Sequence, residues 1–171
     1  MAHGAARCGA CRLRGCEELT AAFCEAAGTL ESRLAALLFQ LPPSFKKDVP
    51  TLQAFLDTLP PGARAAFEFR HASWHDEDVF DCLRQRGQAL CVADSERLTT
   101  PVVTTATHAY FRLRDQGYTE ADIDRWADVI RQQTNGCDQV FVYFKHEDEG
   151  TGPAFARLLI ERLQPEAGSS S

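Results

Sequence analysis

No apolar run in this chain approaches the ~18 residues that a membrane-crossing helix needs, so no membrane span is expected. The opening residues carry Arg7, Arg12 and Arg14 but no continuous apolar stretch, which excludes an ordinary secretory signal. Neither G-x-G-x-x-G nor G-x-x-x-x-G-K-[ST] occurs, so a nucleotide-binding doubly wound sheet lacks its usual phosphate-cradling loop, and no cofactor is expected. An excess of basic charge is missing too. The net charge of −6 and pI of about 5.3 argue against nucleic acid or an anionic membrane as partner. Cysteine is not scarce, but its count of seven is odd and scattered, which suits a reducing cytoplasm better than a disulfide framework. Cys8-x-x-Cys11, with Cys16 and Cys24 beyond it, has no second C-x-x-C or H-x-H pair, so no metal site is expected.

What is present is a chain of 171 residues, 44% hydrophobic, long enough for one domain with a sizeable core. Residues 1–16, rich in Ala, Gly, Cys and Arg, have no periodicity and are read as an unstructured leader; residues 165–171 form a polar tail. Between them, residues 17–164 open with a helical pattern in which Leu19, Phe23, Ala26, Leu30 and Leu34 recur at three- and four-residue steps. Short apolar runs follow at Leu37–Leu41, Ala65–Arg70, Ala89–Asp94, Ala109–Arg114 and Val140–Lys145. Helical stretches lie over Lys47–Leu59, Asp76–Arg86, Thr119–Gln133 and Gly152–Leu163. Gly87 and Gly136 sit where helices need a C-terminal cap, and Thr119 with Asp122 has the form of a capping box. Strands alternating with helices at this spacing predict parallel βαβ units. The fold class expected is α/β, a partial TIM-type (β/α)8 barrel containing about the last five β/α units, since a complete barrel takes ~250 residues.

Strands of a parallel sheet are covered on both faces and read as nearly continuous apolar sequence. These depart from that rule in a common way. In Phe67-Glu68-Phe69-Arg70 the two Phe share one face and the two charges the other; Tyr110-Phe111-Arg112-Leu113-Arg114 alternates likewise. Tyr143 and Lys145 share a face, Gln40 follows Phe39, and Asp94 ends its run. In each case the polar side chains come late, towards the carboxyl end of the strand. That is the mouth where barrel proteins place their sites. Burying several charges there is expensive, so a convergent polar pocket is the expectation, with a structural layer of ion pairs as the plainer alternative.

The same segments carry a family resemblance. Leu38-Phe39-Gln40-Leu41-Pro42-Pro43-Ser44-Phe45, then Phe67-Glu68-Phe69-Arg70-His71 with Ser73-Trp74, then Ala93-Asp94-Ser95, Tyr110–Arg114 and Tyr143-Phe144-Lys145-His146 occur in the order and spacing of the domain of unknown function 72 (YecE-like) family. The resemblance covers about Leu30 to Leu163. It implies a parallel β/α barrel with these segments as its later strands, and it implies no established activity. Two features of the family pattern differ here: its Gly-Thr-Ser-Gly-Trp type first strand and its Glu/Asn second strand are absent, and the last strand ends Lys145-His146-Glu147 where many members carry Asn. The first difference suggests an N-terminally truncated member.

Roles can be assigned to the pocket residues. Glu68 is the acid/base candidate, with His71 and Asp94 as further catalytic candidates; its alternative is an ion pair with Arg70 or Arg112. Gln40, Arg70, Arg112, Tyr143 and Lys145 would bind substrate, the cations suiting a small anionic ligand and the alternative being charge balance. Trp74 would stack on a ligand ring or pack over the mouth. Two functional readings follow. One is a barrel protein binding a small anionic or polyol ligand, with Glu68 as its acid/base. The other is a non-catalytic remnant or interaction module that depends on another chain, self-associating through unpaired sheet edges.

Overall fold

The computed structural model describes residues 5–6, 12–94, 99–114, 117–144 and 151–164. Six parallel strands lie side by side in the order in which the chain makes them: β1 (Ala5–Ala6), β2 (Leu37–Gln40), β3 (Ala65–Glu68), β4 (Ala89–Asp94), β5 (His108–Leu113) and β6 (Gln139–Phe144). A doubly wound sheet reverses its strand order at a switch point. Here the order never reverses, as it would not along the wall of a β/α barrel.

The helices are α1 (Glu17–Gly28), α2 (Val49–Leu56), α3 (Glu77–Gln85), α4 (Glu120–Gln133) and α5 (Thr151–Leu163). Their boundaries follow local chemistry. Asp48 caps α2 by accepting from the Thr51 amide at 3.1 Å, with Pro50 in the first turn where a missing N–H costs nothing. Thr119 and Asp122 make both bonds of a capping box at the start of α4. Gly87 after α3 and Gly136 after α4 take φ of 61° and 92°, a conformation that favours glycine.

Strand alternation sorts the side chains into two layers. Leu37, Phe39, Leu41, Ala65, Phe67, Phe69 and Leu90 join α2 and α3 in one core, and Val92, Ala109, Phe111 and Leu113 join α4 and α5 in another. Both cores lie on the helix-covered side. The opposite, concave side carries Leu38, Ala66, Ala89, Cys91 and Tyr110. Three contacts there reach over intervening strands: His108 Nε2 to the Ala65 carbonyl at 3.1 Å, Arg112 to Glu68, and Arg64 to Gln139. The side chains that β4 presents between β3 and β5 are small, Ala89, Cys91 and Ala93, and so the sheet can curl inward over them.

Two features were not foreseen. Within the stretch read as an unstructured leader, Ala5–Ala6 pairs with Leu38–Phe39, and Leu13 and Cys16 are buried in the core. Between β4 and β5 no helix occurs among the described residues. The crossover instead buries Thr100 and Thr105, and the Thr105 hydroxyl accepts from the Leu90 amide and donates to the Gln88 carbonyl, both at 2.8 Å. Gln88 in turn accepts from the Ala65 amide at 2.8 Å and donates to the Ala63 carbonyl at 3.1 Å, tying the starts of β3 and β4 together.

The centre of the helix-side core is aromatic. The Phe67 ring, fully buried, stacks on Phe39 at 5.3 Å and on Phe69 at 6.3 Å and meets Phe55 edge-on at 6.0 Å. We predict that Phe67→Ala lowers unfolding free energy by about 3–5 kcal/mol, because the surrounding strands cannot collapse into the void. Urea unfolding followed by circular dichroism measures it; a loss under ~1 kcal/mol would show that this aromatic cluster is not the centre of the core.

Candidate functional site

The register of the strands places the polar residues before any side-chain contact is considered. Gln40 lies opposite Glu68 across β2 and β3, and Arg112 lies between Ala93 of β4 and Tyr143 of β6. Arg70 follows the end of β3, two residues after Glu68, and reaches the same carboxylate as Arg112.

Glu68 is only 2% exposed. Its Oε2 accepts from Gln40 Nε2 at 2.8 Å and from the Arg112 guanidinium, and Arg70 Nε stands 3.4 Å from Oε1. Side chains from three strands thus converge on one carboxylate. Burial of an ionised carboxylate is tolerated only with such partners. Arg112 is held near the interior, with a side chain 22% exposed, whereas that of Arg70 is 44% exposed towards the mouth. Beneath them Tyr110 is fully buried and stacks on Tyr143, ring centroids 5.0 Å apart. Burial pushes the Tyr110 hydroxyl far above its ordinary range, and its hydrogen bond to Tyr143 adds to the rise. Cys91, on the same layer, is likewise pushed up, first by burial and then by the Glu68 charge, so it is a poor nucleophile.

The structure therefore brings together Gln40, Glu68, Arg70, Arg112 and Tyr143. Others it places elsewhere. Trp74 is fully buried on the helix side, stacked on Phe69 at 4.7 Å, with Nε1 donating to the Phe45 carbonyl at 2.7 Å. It is a packing residue and has no face for a ligand. Asp94 pairs in register with Leu113, a residue of the helix-side core, so its parity is opposite to that of Glu68. Its carboxylate accepts from Tyr118 at 2.7 Å and Thr99 at 3.2 Å. The run Ala89–Asp94 ends one residue too late for its last side chain to face inward. His71 caps the short helical turn Ala72–Trp74. Ser73 Oγ accepts from the Lys47 amide and lies 2.9 Å from His71 Nδ1, which accepts from the Ser73 amide. Lys145 lies outside the described residues, as do His146, Glu147 and Asp148.

Arg114 was not singled out from sequence, although its step of two from Arg112 is the signal that marks it. It is half-buried, and burial, then Arg112, then Arg70 lower its affinity for a proton, with Glu68 acting against them. Among the described residues no three His, Cys, Asp or Glu side chains group as metal ligands, and no helix is long and apolar enough to cross a membrane. A depression of about 640 Å³ lies away from the cluster, lined by Arg12, Lys46, Lys47 and Asp48 among others. Two of its four charges are engaged already: Asp48 with Arg14 and Lys47 with Asp76, each at 2.5 Å.

The family model for a protein of unknown function, DUF72, matches residues 6–170. The structure is similar to that of a DUF72 family protein from Thermotoga maritima, with a TM-score of 0.77 at 24% identity over 88% of this chain. It is also similar to a DUF72 family protein from Enterococcus faecalis, with a TM-score of 0.74 at 18% identity over 89% of this chain. The chain spans 66% of the length of the first and 67% of the second, about two thirds in each case. No curated protein matches it.

His108 gives the concave face a pH dependence. It is buried at 3% exposure, and burial lowers its pKa below the ordinary value of 6.5 despite the Ala65 carbonyl. His75 is shifted in the same direction. A depressed histidine contributes stability that is present above the unfolded pKa and is lost as pH falls through the folded one, because the unfolded chain then binds more protons. Stability should accordingly begin to fall as pH drops through the ordinary histidine range near 6.5, above the range of Asp48, Asp76 and Asp122, whose pKa values are lowered from 3.8. The urea midpoint of His108→Gln should fall less steeply over that range than that of the unaltered chain. Parallel curves would show that His108 does not titrate differently on unfolding.

Proposed function

This chain belongs to the DUF72 family, and from that premise we propose that it binds a small ligand on the concave face of a partial β/α barrel, at the carboxyl ends of β2, β3, β5 and β6. One observation carries the reading: a carboxylate 2% exposed, Glu68, is met by Gln40 and Arg112 from two other strands, with Arg70 on its outer side. Oε2 already accepts twice, so Oε1, towards Arg70, is the oxygen left to exchange a proton with a bound molecule. Glu68 is then the acid/base group, and Gln40, Arg70, Arg112 and Tyr143 orient the ligand.

Stability separates this reading from an ion-pair layer kept for the fold. A buried ion pair is often replaceable by apolar residues of similar size without loss, whereas removing one partner strands a charge. Arg112→Met alone should cost about 3–5 kcal/mol, while Glu68→Leu with Arg112→Met should be close to neutral or stabilising. The double variant should also abolish the thermal shifts that hydroxy acids, sugar phosphates or polyols give the unaltered chain. If the double variant is as unstable as the single one, or if ligands shift it equally, the cluster is structural and the site reading fails.

A second reading, an interaction module completed by another chain, is favoured by β6. Gln139–Phe144 carries no charge and no proline, Val140 is 37% exposed, and among the described residues no strand pairs with the outer edge of β6; a strand edge of this kind is a template for another chain. On this reading the chain sediments as a dimer at micromolar concentration, and Val142→Lys makes it monomeric. A monomer throughout would remove self-pairing through β6.

A further inference from the structure

Resting on the reading of the concave face as a ligand site, we infer that its ligand is a dianionic tetrahedral oxyanion, a phosphomonoester of a small molecule, held between Arg70, Arg112 and Arg114. The argument begins with charge. Arg70 and Arg112 share one interior carboxylate, Glu68, and Arg114 stands near all three without an ion pair of its own, which leaves two positive charges at the mouth among the described residues. Among the described residues no carboxylate is seen within ion-pair distance of Arg114, and the charges that act on it are Arg112, then Glu68, then Arg70. Asp94, the next acid along the chain, faces the opposite side of the sheet and is occupied by Tyr118 and Thr99.

Geometry then selects the shape of the ligand. Arg112 lies on β5 and Arg114 one residue past its end, where the Arg114 amide donates to the Asp94 carbonyl at 2.9 Å and carries the alternation on, while Arg70 follows the end of β3 and reaches the same Glu68 carboxylate as Arg112. A tetrahedral anion offers oxygens in several directions at once and can meet all three, while a planar carboxylate is satisfied by a single fork. The excess of two charges among the described residues matches a phosphomonoester, mostly doubly ionised at pH 7.5, better than a singly charged diester or carboxylate. Tyr143, beside Arg112 in register, and Phe141 line the same face and would border the organic part of the ester. The net charge of −6 on the whole chain opposes a long polyanion, so the phosphate belongs to a small molecule.

Isothermal titration of the full chain at pH 7.5 and constant ionic strength tests this, with inorganic phosphate, acetate, glycerol and a single-stranded oligonucleotide as probes. Phosphate should bind at least about tenfold more tightly than acetate, and Arg70→Gln and Arg114→Gln should each weaken it about tenfold. These two side chains are partly exposed, so both variants should keep the circular dichroism spectrum and melting temperature of the parent, which separates lost binding from lost folding. Equal or tighter binding of acetate or glycerol with the same arginine dependence would overturn the dianion and leave the ligand site standing. Phosphate binding unchanged in both variants, tighter binding of the oligonucleotide, or no phosphate binding at 10-fold above millimolar concentration would each overturn the inference. In that last case the stability of Glu68→Leu with Arg112→Met decides separately whether the site itself survives.

Discussion

The concave face is organised around the need to satisfy one buried carboxylate. Glu68 lies too deep to be hydrated, so its charge requires donors supplied by the protein. Gln40 can donate because it is the register partner of Glu68 on the adjacent strand. Arg112 can donate only if β5 curls far enough to reach across β4, and the small residues Ala89, Cys91 and Ala93 permit that approach. Satisfying the charge and curving the sheet are therefore linked. A bulky residue at position 91 or 93 would push the arginine away and leave the carboxylate buried with too few partners.

The same curvature explains why, among the described residues, no layer of helices covers this face. The described helices pack on the convex side or flank it, where Phe39, Phe67, Phe69, Phe111 and Leu113 meet them. The concave side is closed instead by its own short side chains and by bonds that skip strands: His108 to Ala65 and Arg64 to Gln139 at the amino ends, Arg112 to Glu68 higher up. The lower layer holds a histidine whose pKa is lowered by burial and the upper one a set of charges. The polarity of the face therefore rises from the amino to the carboxyl ends of the strands, which is the direction in which a site can open to solvent.

Much of this was legible in the sequence because strand alternation is a strict code. Glu68, Arg70, Arg112, Gln40 and Tyr143 share a face for the same reason that Phe67, Phe69 and Phe111 share the other, and a period of two is visible without any structure. Asp94 shows where the code fails. Its residue type and late position suited the site, but parity decides, and Ala93 rather than Asp94 faces inward. Trp74 fails differently: it lies beyond β3, where alternation no longer applies, and its indole N–H finds the Phe45 carbonyl in a loop far away in sequence. The roles of Gln88, Thr105 and His108 were not legible at all, since each bonds a backbone group whose position depends on the finished sheet.

The contrast between Glu68 and the arginines around it bears on how such a face can act. A carboxylate fixed by donors on one oxygen has little freedom to move, so any ligand must come to it, and the guanidiniums that face the mouth are the groups that can bring it there. Arg112 is committed to Glu68 and can share only its remaining donors, whereas Arg70 and Arg114 retain most of theirs. Affinity would then come from the outer pair and alignment from the inner one. Lengthening the reach of the inner arginine would loosen both the carboxylate and the curl of β5 over β4, and so chemistry and fold constrain the same side chain.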